Sequence, residues 1–373
     1  MPWKETATSV LLSGLNRVDN LIEHGGIGMK VLVLNLAGQD EALAPLKEAG
    51  HEVVFGRPSA PGAVASPREA YTEGELMELC HDVHVVLGPT PTLTHAVMEA
   101  SPLLHTLVVP VIGYERVDVQ GATDLGIIVC NSPTPENFVS VSEASIALMT
   151  MLAKRLKTKE ARIRGGEWSQ NADRGFLLWQ KTVGIIGLGR TGSGVAKRLG
   201  GWEVRLLCHD PYISQERADE FGVELVDLST LLSESDFVSL HVVITPETFE
   251  MIGEEQLRLM KPTSYLINTS RGEAIEENAL RKAIEENWIA GAGLDVFHQE
   301  PLPVDSPMRS LDPDRVFLTP HSIAHTHASL IANRVMAVET AITALNGDLP
   351  VPVVNPEAIP KWKDRVKSIM QIA

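Results

Sequence analysis

Three short stretches of this 373-residue chain concentrate side chains that hold carboxylates and move protons: residues 268–273 (NTSRGE), 293–301 (GLDVFHQEP) and 318–322 (LTPHS). Each follows an aliphatic run with the character of a buried strand. Each is therefore expected where a strand opens into a loop, at the carboxyl edge on which open α/β sheets bind ligands. Together they supply a guanidinium in Arg271, carboxylates, and an imidazole in His321. A guanidinium grips a carboxylate through paired hydrogen bonds. An imidazole takes a hydroxyl proton as hydride leaves the carbon, and a buried carboxylate beside it steadies the imidazolium that forms. Those parts suit dehydrogenation of a 2-hydroxy acid. Singly, each residue has an ordinary reading: Arg271 as a surface ion-pair partner, Glu300 as a turn acid before proline, His321 as a satisfied core histidine. Their joint presence on one sheet edge argues against all three. A His321/His325 pair at i, i+4 could suggest a metal, but the carboxylate neighbours a hydrolytic site needs are missing, and no metal is expected. His241, in LHV, reads as a strand-end residue near a cofactor.

Hydride transfer needs a partner, and TVGIIGLGRTG at 182–192 announces a bound dinucleotide. Residues 182–186 have the unbroken aliphatic character of a strand buried on both faces of a parallel sheet. Gly187 permits the tight turn, Gly189 lets the backbone approach a pyrophosphate, and Gly192 lets the following helix, read as 193–199, pack on the strand. The free N–H groups and positive end of that helix face the phosphates. The next strand, read as 204–209, ends in Asp210, 18 residues past Gly192, where a carboxylate for the adenosine ribose belongs. A carboxylate there accepts from the ribose hydroxyls of NAD and repels the 2′-phosphate of NADP, and no basic residue follows before Arg217. NAD is the expected cofactor.

The elements that position these groups alternate strand and helix from Met29 onward. Runs at 31–35, 53–55, 83–87, 107–112 and 127–130 read as strands, with helix-like stretches at 41–49, 73–80, 93–100 and 119–125 between them. They make a first parallel-sheet domain without a glycine fingerprint of its own. A proline-marked link at 132–135 leads into a long helix, about 138–155, and then into the dinucleotide unit. That unit continues through strands at 237–242, 265–268, 291–296 and 316–318. A last helix, about 328–345, comes too late for the second sheet and is expected to return to the first domain. Residues 1–28, with Leu11, Leu15, Val18 and Ile22 at helical spacing, read as an amino-terminal extension that could carry a short amphipathic helix, either an appended segment or upstream start, or a functional arm.

Bulk properties narrow the partners. A formal net charge of −16 opposes a broad nucleic-acid surface and gives no attraction to anionic lipid. With 44% hydrophobic and 21% charged residues, the composition is that of a globular protein, and no apolar run looks able to span a bilayer. Cys80, Cys130 and Cys208 are widely spaced without a metal or redox motif, so reduced core thiols are expected. With no secretory signal visible, the expected location is cytoplasmic.

Together with GLGRTG, the three stretches resemble the NAD-dependent D-isomer-specific 2-hydroxyacid dehydrogenases, which include phosphoglycerate, glycerate and D-lactate dehydrogenases. The likeness runs from about Met29 to Asn355 and includes GYERVD at 113–118, LGIIV at 125–129 and SVSE at 140–143. It implies that Arg271 binds the substrate carboxylate and carbonyl oxygen, that His321 is the acid/base with Glu300 as its partner, and that Asp295 holds the nicotinamide carboxamide. It puts Arg190, Thr191, His241 and Thr269 on the cofactor side. It also implies that backbone N–H groups of the turn at Leu87, Gly88, Pro89 and Thr90 help seat the substrate carboxylate. The implied fold is α/β with two doubly wound parallel sheets. Residues 29–133 and 323–373 would form a flavodoxin-like substrate domain, with a Rossmann NAD-binding domain, 134–322, inserted in it. A homodimer through the long-helix region is implied as well.

Departures from the family pattern are Val243 in place of a usual proline, Ile323 and Ala324 where two glycines commonly follow the histidine, and Thr191 for a branched aliphatic. Ala324 would narrow the space beside the nicotinamide. The nearest rival within the fold, formate dehydrogenase, pairs its histidine with glutamine, which Glu300 argues against. Gly88 stands where phosphoglycerate enzymes tend to carry an arginine for phosphate. The alternative of a different class is a non-catalytic, NAD-sensing protein of the corepressor type, which shares this fold and triad.

Overall fold

The structure is a computed structural model, and it describes residues 28–34, 40–57, 71–88, 93–114, 117–168 and 171–372. The helical pattern within the amino-terminal segment lies outside the described residues. The chain forms two units: Met1–Glu136 with Thr326–Ala373, and Asn137–His325.

In the first unit, β1 (Lys30–Val33), β2 (Glu52–Phe55), β3 (Val85–Leu87), β4 (Thr106–Val108) and β5 (Ile128–Cys130) form a sheet in the order β2-β1-β3-β4-β5. All its pairings are parallel. That is the doubly wound order of flavodoxin-like folds. Side chains alternate between the two faces. Leu32, Val86, Leu107 and Val129 enter one core, and Val31, Val33, Val85, Leu87 and Val108 enter the other. The second face is covered by helix His327–Leu345 through Ala337, Val338, Ala341, Ile342 and Leu345. Among the described residues this is the one helix long and apolar enough to cross a membrane, a run that composition had not suggested; half of it is buried. Its buried apolar residues Ala337, Val338, Ala341, Ile342 and Leu345 pack on the sheet. The expected strand at 107–112 stops at Val108, since Pro110 has no N–H to extend the ladder. The edge strand β5 is closed by the carboxyl-terminal segment. Val353 bridges Cys130, Asn355 Oδ1 accepts the Val129 N–H at 2.7 Å, and Trp362 is buried with Ile128 and Cys130.

In the second unit, β6 (Thr182–Ile186), β7 (Arg205–His209), β8 (Glu224–Leu225), β9 (Phe237–Leu240), β10 (Tyr265–Asn268), β11 (Gly291–Leu294) and β12 (Val316–Leu318) form a parallel sheet. Its order is β12-β11-β10-β9-β6-β7-β8. The chain runs outward from β6 to β8, then returns to the other side of β6 with β9. That reversal opens the crevice, at the carboxyl ends, where this architecture binds dinucleotides. Both faces are covered: Ile186, Leu207, Val238 and Leu266 point into one core, and Val183, Ile185, Cys208 and Ile267 into the other. The long helix spans Pro135–Lys154, with Pro135 at its first position, where a missing N–H costs nothing. Arg155, at φ 51°, turns the chain into a second helix, Leu156–Arg164, that the sequence pattern had not indicated.

Candidate active site

The chemically marked residues of the second unit all follow strand ends: Gly187 after β6, Asp210 after β7, His241 after β9, Thr269 and Arg271 after β10, Asp295 after β11, His321 after β12. The glycine turn has the geometry of a dinucleotide cradle. Gly187 has φ 89°, and a Cβ there would lie 2.7 Å from the His241 carbonyl oxygen. A Cβ on Gly192 would lie 2.0 Å from the Gly187 carbonyl oxygen, so only glycine lets helix Arg190–Leu199 approach β6 this closely. A Cβ on Gly189 would meet no heavy atom within 4 Å. That open space, in front of the helix N-terminus, is where a pyrophosphate belongs. Asp210 Oδ2 accepts the Leu188 N–H at 2.8 Å, and its Oδ1 accepts the Tyr212 N–H at 3.0 Å. Each carboxylate oxygen keeps a second lone pair for a ribose hydroxyl. These residues fit NAD.

The other residues expected on the cofactor side are tied to neighbouring elements. Arg190 lies over the Phe138 ring, 4.9 Å from its centroid. The Thr191 carbonyl accepts from the Ser142 hydroxyl at 3.0 Å, and the Thr269 and Ser145 hydroxyls are 2.8 Å apart. His241 shares a 2.9 Å hydrogen bond between Nε2 and the Ser239 hydroxyl. Its Nδ1 is buried without a partner among the described residues. Burial pushes its pKa down to about 4, so the ring is neutral at pH 7.

His321 is held in an unusual backbone state, φ 50°, the left-handed region that non-glycine residues seldom occupy. Asp295 is the reason it persists. The Asp295 carbonyl accepts the His321 N–H at 2.8 Å. Its buried carboxylate accepts, on Oδ1, the Thr319 hydroxyl at 2.6 Å, the Ser322 N–H at 3.0 Å and the Ile323 N–H at 3.2 Å. Sequence reasoning gave Asp295 only a cofactor contact; the structure also makes it the anchor of the histidine loop. Oδ2 carries just a long 3.4 Å contact from the Ile323 N–H.

His321 Nδ1 lies 2.7 Å from Glu300 Oε2, and Glu300 Oε1 accepts the Phe297 N–H at 3.1 Å. The carboxylate was expected to be buried. It is instead 22% exposed, beside a half-exposed imidazole. The hydrogen bond to Glu300 raises the His321 pKa; partial burial and the Arg271 charge oppose that, while the charges of Glu300 and Asp295 add to it. Arg271 precedes a short 3-10 turn, Gly272–Ala274. The buried Asn268 frames it, donating from Nδ2 to the Arg271 carbonyl at 2.8 Å. Asn268 Oδ1 accepts the Ser270 N–H at 3.0 Å.

One other expectation changes, and the histidine pair set aside as a metal site does not lie on a helix. In the first unit, the Gly88 N–H is spent on the Val108 carbonyl at 2.8 Å, and the Leu87 side chain is fully buried. Gly88 is therefore not a free donor for a substrate, and Pro89 lies outside the described residues. In the second unit, His321 and His325 share no helical face, because 321–325 is a turn closed by the His325 N–H on the Ser322 carbonyl at 2.9 Å. The helix begins only at His327, capped by Thr326.

The family model described as D-isomer specific 2-hydroxyacid dehydrogenase, NAD binding domain, matches residues 146–322. A glyoxylate reductase of Korarchaeum cryptofilum is 40% identical over 274 residues, covering 72% of this chain and 82% of that one. A D-3-phosphoglycerate dehydrogenase of Methanocaldococcus jannaschii is 38% identical over 305 residues, 81% of this chain but 57% of that longer protein. Among solved structures, the D-lactate dehydrogenase of Escherichia coli superposes with a TM-score of 0.72 at 28% identity, over 87% of this chain and 100% of that one. This chain belongs to the NAD-dependent D-isomer specific 2-hydroxyacid dehydrogenase family.

Proposed function

We propose that this enzyme interconverts a small D-2-hydroxy acid and its 2-keto acid, with Arg271, His321 and Glu300 as its working residues. The observation that carries this reading is the 2.7 Å His321–Glu300 contact on the same sheet edge as Arg271 and the glycine turn. NADH, when bound, supplies the hydride. Arg271 grips the substrate carboxylate with paired N–H donors. With Nδ1 engaged by Glu300, the imidazolium presents its Nε2 proton to the carbonyl oxygen as negative charge grows there. In the oxidative direction the neutral ring takes that proton back. The glyoxylate reductases of Korarchaeum cryptofilum and Thermococcus litoralis are covered over 82% and 89% of their length, and Gly88 brings no positive charge for a phosphate. Among glyoxylate, hydroxypyruvate, pyruvate, phenylpyruvate and 3-phosphohydroxypyruvate, turnover with NADH is expected to be fastest with one of the first two. NADH oxidation with none of the five would overturn the reading.

Asp210 sets cofactor choice in this reading. Asp210→Ala removes an ionised acceptor, so NADH should bind about tenfold more weakly and the preference over NADPH should shrink. A wild-type enzyme equally efficient with NADPH would refute that role.

We also infer a homodimer. Leu156, Ile163, Trp168, Leu177 and Trp179, all beyond the long helix, are exposed, and a monomer seldom leaves so many large apolar side chains in water. A second copy is the occupant proposed for them. Light scattering at micromolar concentration should give twice the chain mass; a monomer would count against this. The three cysteines are free and buried, with thiols pushed up to about 12 by burial, which suits the reducing cytoplasm.

A further inference from the structure

The loop carrying Arg271 and the loop carrying Glu300 meet backbone to backbone. A Cβ on Gly272 would lie 2.0 Å from the Phe297 carbonyl carbon, 2.2 Å from its oxygen and 2.5 Å from the His298 nitrogen. No side chain fits between the two loops at that point. The Phe297–His298 peptide that touches Gly272 is also held through its own N–H and through the N–H of the peptide before it. The Phe297 N–H donates to Glu300 Oε1 at 3.1 Å, and the His298 N–H donates to Glu277 Oε1 at 2.7 Å. Glu277 is the first residue of helix Glu277–Glu285, whose Ala279, Leu280, Ala283 and Ile284 are buried in the sheet core. It therefore reaches the loop from a rigid support. Further out, the His298 ring packs edge-on to Phe249 at 5.8 Å, and its Nε2 lies 3.6 Å from Glu250.

We propose that Glu277, acting with Gly272, is a positioning residue for the acid/base pair: it pins the Phe297–His298 peptide against the Arg271 loop and so fixes the reach of Glu300 to His321. This rests on the assignment of His321 and Glu300 made above. The distance between the group that holds the substrate carboxylate and the group that moves the proton is then set by a backbone contact. A small displacement of that peptide lengthens a 2.7 Å charge-assisted hydrogen bond, whose strength depends on short, aligned geometry. Besides Glu300, the charged and titratable groups facing the His321 ring are Asp295, Arg271 and His325.

The test is the titration of the His321 ring, followed by NMR on histidine-labelled enzyme without ligands, with His321→Gln to assign the signal. Glu300→Gln, the reference, should move the midpoint down. Glu277→Ala should move it in the same direction by at least half as far. Glu277→Gln, whose amide oxygen still accepts the His298 N–H, should restore it. Gly272→Ala, which wedges the loops apart, should shift it and also raise KM for the keto acid. An unmoved midpoint in Glu277→Ala, with Glu300→Gln shifted, would overturn the positioning role alone. Equal shifts in Glu277→Ala and Glu277→Gln would show a charge effect and overturn it too. If Glu300→Gln itself moves nothing, the acid/base assignment fails, and this inference with it.

Discussion

Replacing His321 by alanine is expected to lower kcat for keto-acid reduction by about a thousandfold, the middle of the range that a positioned proton donor contributes. NADH affinity should be nearly unchanged, because the ring's hydrogen bond runs to Glu300 and not to the glycine turn or Asp210. A fall in kcat and kcat/KM together, without a loss of cofactor binding, marks an interaction made only in the transition state. The wild-type pH profile carries the same signature. Glu300 holds the His321 pKa above its usual value of 6.5. Reduction needs the imidazolium, so its rate should stay level at low pH and fall as pH rises through that raised pKa. Oxidation needs the neutral ring and should rise over the same interval. Steady-state kinetics in both directions, with NADH binding followed by fluorescence, separate these outcomes. A His321→Ala enzyme with near-normal kcat would remove the residue from the mechanism.

The second large effect is expected at Arg271. A paired guanidinium–carboxylate contact carries two charge-assisted hydrogen bonds, each worth roughly 1.5–3 kcal/mol. Arg271→Ala should therefore cost about a thousandfold in kcat/KM, with KM for the keto acid rising at least tenfold. Arg271→Lys is the sharper experiment, since it keeps the charge and loses the planar fork. It should still cost about a hundredfold. The Asn268 bond to the Arg271 carbonyl would remain in both variants, whereas the Ser270 carbonyl would lose the Arg271 Nη1 donor at 2.8 Å, and NADH binding serves as the control. If lysine restored kcat/KM to within a few-fold of wild type, a point charge would suffice and paired recognition would be wrong.

How far these sites could be read from sequence depends on whether the physics is local. Thr182–Ile186 is fully legible because a strand buried on both faces must be continuously apolar and must be followed here by glycine. β10 and β12 also fall where the pattern put them. The two-residue β8 has no period to detect, and Leu156–Arg164 is too polar to declare itself a helix. In the site, residue types and strand-end locations were visible. Three-dimensional pairing was not. Nothing in GLDVFHQEP says that Asp295 gathers three donors from the His321 loop, or that Glu300 stays partly in solvent. The Gly272–Phe297 contact joins positions 25 apart; its only sequence trace is a glycine directly after Arg271.

The way helix His327–Leu345 covers the first sheet has a consequence for how the protein is made. The second unit is one continuous stretch, Asn137–His325, and can close as soon as it has been synthesised. The first unit cannot. Val31, Val33, Val85, Leu87 and Val108 wait for Ala337, Val338, Ala341 and Ile342, and β5 waits for Val353 and Trp362. At roughly 5–20 residues per second, the intervening stretch takes on the order of ten to forty seconds to emerge from the ribosome. During that time the amino-terminal strands present an apolar face with no native cover, and it is this sheet, rather than the dinucleotide-binding one, that a chaperone on the nascent chain would find to hold.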